Sequence, residues 1–241
     1  MTARRTRLLR ASGCAVAVGV PLAALALVVR AQVPGLQRWD EAVVDDATGL
    51  VRGDPALYRT LLVWQEAFQA RWVNLVVAGV CVWVWRRHGL RGRAVWGLVT
   101  LLVTWNLGLL VKYLVARSRP VVEDALTEAP GYSFPSGHAA NTAAAGTILV
   151  VVLWPLLGPR ARVVVPAAVA AAVVLTGADR VLLGAHYPSD VVAGFLFGAG
   201  AVGAAYVGYL GGDAGRTGAP PDAPDAPPGH PPTRTTDPAA R

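Results

Sequence analysis

Six long apolar runs constrain this chain more than anything else in it. They lie at about 11–29, 68–85, 94–113, 137–157, 163–180 and 188–210, with short charged stretches between them. A helix that crosses the ~30 Å hydrocarbon core of a bilayer needs ~20 mainly apolar residues, and each run is close to that length. Of the 241 residues, 54% are hydrophobic and 15% charged, against about 25% charged in an ordinary soluble domain. That balance excludes a disordered chain and argues against a water-soluble enzyme. The expected architecture is all-α: a six-transmembrane-helix bundle occupying residues 11–210 as one domain.

The segments outside the runs refine this expectation. Residues 1–10 carry Arg4, Arg5, Arg7 and Arg10. A basic start before an apolar core also fits a removable leader, but the run is long and is followed by Arg30, Gln32 and Pro34 instead of a small-residue cleavage site. A retained first span is the preferred reading. Residues 31–60 are acidic, yet Leu36, Trp39, Val43, Ala47, Leu50 and Val51 recur at helical spacing, which suggests an amphipathic segment on the membrane surface. Gln65, Glu66, Gln69 and Arg71 interrupt the approach to the second span. Gly194 and Gly198 in the sixth form a small-xxx-small pair, suited to close helix contact. From Gly211 onward there are eight prolines and almost no large apolar side chain, so the 211–241 tail is expected to be disordered. Cys14 and Cys81 sit in apolar runs and read as small buried hydrophobes.

The formal charge is +7, which in a soluble chain would invite a nucleic-acid partner. Here topology explains it better, and no nucleic-acid binding is expected. The arginines cluster at the amino terminus, at 86–93 and at 158–162, all on one side of a six-span bundle. Cytoplasmic loops are the ones enriched in Lys and Arg, so both termini are expected inside. Trp83, Trp85, Trp96 and Trp154 lie near the same ends, where an aromatic belt would. The acidic 31–60 segment and the loops around 112–136 and 180–188 then face outward.

Residues that do not suit an apolar bundle gather at that outward level. The first cluster runs from Lys112, the only lysine among 22 basic residues, through Arg117 and Arg119 to Pro120. Taken alone it reads as snorkelling anchors. The second is Pro135-Ser136-Gly137-His138, in which Ser136 is placed to cap the fourth span and the free N–H groups of the helix start suit an anion. The third is Asp179-Arg180 followed by His186-Tyr187-Pro188-Ser189-Asp190, with Pro188 in the first turn of the sixth helix. Each has a structural explanation by itself. Together they combine two histidines, a carboxylate able to orient one of them, and the cations Lys112, Arg119 and Arg180. Cations and a helix start suit a phosphate, and histidines suit nucleophilic and acid–base work.

Lys112-x6-Arg119-Pro120, Pro135-Ser136-Gly137-His138 and Arg180-x5-His186-x3-Asp190 resemble the three signature motifs of the type 2 phosphatidic acid phosphatase superfamily, which also contains the soluble vanadium haloperoxidases. The likeness covers roughly residues 60–210 and ten specified positions. It implies the fold of that superfamily's membrane branch, and an integral membrane phosphatase that hydrolyses a lipid phosphate or pyrophosphate at the outer leaflet. By the same resemblance His186 is the nucleophile that becomes a phosphohistidine, Asp190 holds its tautomer, and His138 protonates the leaving oxygen and later activates water. Lys112, Arg119, Ser136, Gly137 and Arg180 bind the phosphate, and no metal or other cofactor is required. The abundance of Ala, Arg and Gly beside a single lysine suggests a high-GC bacterial genome. Undecaprenyl pyrophosphate, phosphatidate and phosphatidylglycerophosphate are then the leading substrates. The alternative is a catalytically silent membrane relative that binds or transports. Asp179 departs from the serine usual there: it would pair with Arg180 or repel a phosphate, and it is left out of the site. Glu123, Asp124 and Glu128 follow the first motif and would bear on head-group choice or simply be solvated.

Overall fold

The computed structural model describes residues 3–121, 126–127 and 130–209. Among them every regular element is helical. The helices are α1 (Ala3–Arg30), α2 (Pro34–Arg52), α3 (Pro55–Ala67), α4 (Ala70–His88), α5 (Arg91–Val115), α6 (Gly137–Leu153), α7 (Ala161–Leu182) and α8 (Pro188–Tyr209), with a short 3₁₀ turn at Trp154–Leu156. Five stretches are long and apolar enough to cross a bilayer: Leu8–Arg30, Arg91–Val115, Gly137–Leu156, Ala161–Leu182 and Pro188–Tyr209. The pair α3 and α4, bent by 48°, makes a sixth. The bend falls where polar residues interrupt the second run. There Glu66 accepts from the Trp72 indole at 3.1 Å and pairs with Arg71. The tail at 211–241 and Glu123, Asp124 and Glu128 lie outside the described residues.

The outward faces of the spans are apolar, with Leu75, Leu102 and Val163 all more than 60% exposed. So much open apolar surface is unsuited to water and suited to lipid, and the chain is built as a multi-pass membrane protein. At the centre stands α6, packed against α4, α5, α7 and α8. Its alanines and Gly146 let neighbours approach closely, and α8 meets it through Gly194 and Gly198. A Cβ at Gly194 would lie 2.9 Å from the Ser136 carbonyl oxygen, and one at Gly198 would lie nearer still to that of Ala140. The expected close contact is therefore made. Along α8 also runs α1, which makes it a member of the bundle.

One sequence expectation, at Trp96, needs correction. The amphipathic helix expected after the first span is α2, in which Trp39 and Leu50 are exposed while Asp40, Val44, Thr48 and Val51 are buried. This helix packs against α7 and α8, and polar partners waiting there pull in a polar side chain. Trp96 is a core residue and not part of a belt. It is 6% exposed, donates to the Ala205 carbonyl at 3.3 Å and meets Tyr206 edge-on.

Candidate active site

Four helix ends meet at one end of the bundle: the C-termini of α5 and α7 and the N-termini of α6 and α8. The basic turns before Arg91 and Ala161 lie at the other end. All eight residues expected at a site are thereby brought to one level. At the end of α5, Ala116 takes a left-handed conformation, φ 51°, and its N–H closes the helix on Lys112 O at 2.9 Å. That backbone is strained for a residue other than glycine, and it turns the chain so that Arg117 and Arg119 reach back over the helix ends. Lys112 Nζ donates to Tyr132 O at 2.6 Å. Arg119 donates to the carbonyls of Gly131, Pro130 and Ala185 at 3.0, 3.2 and 2.7 Å.

His186 is 2% exposed. Arg119 Nη1 lies 3.1 Å from its Nε2, and a guanidinium has donors only. Nε2 must therefore carry the lone pair, and the proton of the neutral ring is on Nδ1. That proton faces Ser133 Oγ at 3.3 Å, and Ser133 in turn donates to Asp190 Oδ2. The direct Nδ1–Asp190 separation is 3.7 Å, beyond hydrogen-bond reach, so Ser133 stands between the two. Asp190 Oδ2 also accepts the Tyr187 N–H at 3.0 Å, and Oδ1 accepts from Arg117 at 2.7 Å. Burial pushes the His186 imidazole down to about 4, with Asp190 opposing and Arg119 and Lys112 reinforcing. Burial also lowers the Arg119 guanidinium; Asp190 opposes that shift and Arg180 adds to it. It pulls on Arg117 as well, but Asp190 and Asp40 outweigh it and hold that group above its ordinary value.

His138 lies in the first turn of α6. Its Nε2 and the Ser136 Oγ are buried with no hydrogen-bond partner among the described residues, and such orphaned groups are uncommon in folded proteins. Ser136 occupies the N-cap position without making the side-chain cap expected of it; its backbone N–H instead bonds Asp190 O at 2.9 Å. Arg180 is turned onto Asp179, through Nε at 2.8 Å and also through Nη2. Pairing is thus the outcome for Asp179, whose Oδ1 has no hydrogen-bond partner among the described residues. Arg180 O accepts the N–H groups of Ala185 and His186, which ties the loop carrying His186 to α7. From Lys112 and Gly137 a cavity of about 70 Å³ runs inward between α5, α6 and α8, past Gly108, Trp105, Asn141 and Phe197.

Three participants escaped the sequence reading. Arg117 lies inside the first cluster, at one of the positions the motif Lys112-x6-Arg119 leaves unspecified. Ser133 lies three residues before Ser136, and no spacing rule singles it out. Asp40 had no local signal at all, being one of several acids in a polar stretch.

Residues 93–211 match the family model described as PAP2 superfamily. The lipid A 1-phosphatase of Rhizobium johnstonii is 49% identical over 67 residues, 28% of this chain and 24% of that protein. Phosphatidylglycerophosphatase B of Bacillus subtilis is 37% identical over 113 residues, 44% of this chain and 55% of that one. The decaprenylphosphoryl-5-phosphoribose phosphatase of Mycobacterium tuberculosis is 35% identical over 105 residues, 42% and 52% respectively. The chain thus spans from about a quarter to about half the length of these curated relatives. The crystal structure of a transmembrane PAP2-type phosphatidylglycerolphosphate phosphatase from Bacillus subtilis superposes with a TM-score of 0.69. It covers 83% of this chain and 96% of that one at 23% identity, which establishes the common fold.

Proposed function

The chain belongs to the PAP2 superfamily through residues 93–211, and from that premise we propose that it is a membrane phosphatase hydrolysing a phosphomonoester or pyrophosphate carried on a lipid at the outer leaflet. The observation that carries this reading is the state of His186: buried, neutral, and holding its Nε2 lone pair against Arg119. A phosphate drawn to Arg119 arrives beside that lone pair. Nε2 attacks phosphorus, the bond to the lipid oxygen breaks, and His138 gives that oxygen its proton. A phosphohistidine remains. Water then attacks phosphorus as His138 takes back a proton, and phosphate leaves with Nε2 restored.

Lys112, Arg119 and Arg180 supply the positive charge that phosphoryl transfer needs, joined by Ser136 Oγ and the Gly137 N–H at the start of α6. For Arg180 this means sharing its guanidinium between Asp179 and the substrate. The apolar cavity below Lys112 and Gly137 continues from head group to membrane depth, the course of a lipid chain. The exposed arginines of the two turns at the opposite end belong in the cytoplasm by the positive-inside rule. Residues 1–10 and 211–241 go with them, which leaves 11–210 as the membrane domain.

Phosphate release by the purified protein is the test, with phosphatidate, phosphatidylglycerophosphate and undecaprenyl pyrophosphate as substrates, each measured with and without a chelator. Release from at least one of them, abolished in His186→Ala together with any phosphoenzyme, is the expected result. No release from any of the three overturns the reading, and activity that vanishes with the chelator and returns with magnesium overturns its metal-free form.

A further inference from the structure

Asp40 is fully buried in α2, outside the matched residues 93–211, and the reaction above makes no use of it. A carboxylate buried this far from water needs partners, and its partners are instructive. Oδ1 accepts the Ser189 N–H at 3.0 Å, and Oδ2 accepts both the Ser189 hydroxyl and Arg117 Nη2, the latter at 2.8 Å. The other fork of the same guanidinium, Nη1, bonds Asp190 Oδ1 and Ser189 Oγ, each at 2.7 Å. One planar group thus bridges two buried carboxylates, and it lies 4.0 Å from the Tyr187 ring, which restrains its tilt.

The division of contacts at Asp190 follows from this bridge. Arg117 takes Oδ1 alone, so Oδ2 stays available to Ser133, the Tyr187 N–H and, through Ser133, His186. Without a second carboxylate to hold Nη2, the fork would slide onto Asp190 in the bidentate geometry that Arg and carboxylates favour, and Oδ2 would be drawn off Ser133. Asp40 also fixes the first turn of α8, the turn that carries Asp190, by binding Ser189 at both N–H and hydroxyl. We propose that Asp40 is a positioning residue: acting through Arg117 and Ser189 it holds Asp190, and with it His186, in line for attack. On this account α2 belongs to the catalytic apparatus although it touches no substrate. The inference rests on His186 being the nucleophile.

Single-turnover phosphorylation by Asp40→Asn tests it. The amide keeps the volume and still accepts from Ser189, but its NH₂ cannot receive Arg117. A misplaced reacting group costs on the order of 100-fold when the shift is ~1 Å. The expected loss is therefore about 10- to 100-fold in the phosphorylation rate, at unchanged KM and an undiminished count of active sites from the phosphoenzyme burst. Because both residues act through one bridge, Asp40→Asn should add nothing to the loss in Arg117→Lys. A wild-type rate in Asp40→Asn overturns the proposal. So does a loss confined to burst amplitude, a change in KM alone, or losses that multiply in the double variant. A wild-type protein that forms no phosphoenzyme removes the nucleophile assignment and this proposal with it, whereas a normal wild-type burst beside an unaltered Asp40→Asn rate removes this proposal only. Should Asp40→Asn fail to fold in detergent, Ser189→Ala decides: it deletes one contact of Asp40 and one of Arg117 without changing charge. A several-fold drop in rate at constant KM supports the clamp, and an unchanged rate overturns it.

Discussion

At the end of the bundle carrying the two short turns, Arg86, Arg87, Arg91, Arg160 and Arg162 are exposed, with Arg91 over Trp85 and Arg162 over Trp154, each at 5.4 Å from the ring. At the opposite end Arg180 is 2% exposed, and Arg117 and Arg119 are half-buried among carboxylates, carbonyls and a histidine. The residue type is the same, and the physics is not. A guanidinium that keeps its water can be exchanged for another cation at little cost, because its task is to lie on the correct side of the membrane. One that has lost its water must recover that solvation from groups fixed in the fold, and its position is then as specific as theirs. A cluster of arginines in a membrane protein is read by its partners, not by its charge.

The largest effect that could break this comparison is all-or-none. Single cysteines at Val121 and Gly92, in a background lacking Cys14 and Cys81, should differ in labelling by an impermeant reagent added outside: Val121Cys reacts and Gly92Cys does not. The reverse pattern would put the buried arginines in the cytoplasm. Next come the histidines of the two ends. His88 meets Trp83 edge-on at 4.7 Å on the exposed end, and His88→Ala should leave turnover unchanged. His138→Ala removes a general acid, a contribution of about 10²- to 10⁴-fold that follows Brønsted behaviour. Its damage should be greatest for the basic alkoxide of phosphatidate, smaller for a pyrophosphate and least for an activated aryl phosphate, in single-turnover phosphorylation. Equal losses on all three would reduce His138 to a phosphate ligand.

Stability sharpens the contrast. Arg117→Ala leaves Asp40 and Asp190 buried without their cation, and breaking such a pair costs about 3–5 kcal/mol. Arg87→Ala should stay within about 0.5 kcal/mol. Denaturation midpoints in one detergent compare the two, and equal midpoints would deny that burial makes the difference. The smallest effect is in pH. His186 is held neutral down to about 4, below the ordinary 6.5, so the unfolded chain binds the proton first. Its neutral burial adds stability in full above pH 6.5, and that contribution is lost as the pH falls toward 4. The melting-temperature difference between wild type and His186→Asn should shift against wild type over that window; a pH-independent difference would show that the ring titrates alike in the folded and unfolded chain.

Read along the chain, the spans were plain. Hydrophobic length and composition act on each segment separately, so the five long helices and the bent sixth follow from local sequence. The ten motif positions were equally visible, because Lys112 with Arg119, the Ser136–His138 turn and His186 with Asp190 each lie within one helix end and its adjoining loop. What the sequence alone determined about this protein is therefore its apolar helices and the residues collected at their ends. Only the tertiary structure decided which of those residues hold one another. Asp40 and Arg117 are 77 residues apart, and Asp40 and Ser189 are 149 apart. Asp40 looked like one more solvated acid because nothing near it in sequence betrays its partners. Ser133 became the link between His186 and Asp190 only when the loop before α6 was laid across the start of α8. In α2 the periodicity marks an amphipathic helix, but only the packing of α7 and α8 against it decided that Asp40 and Thr48 share the buried face with Val44 and Val51.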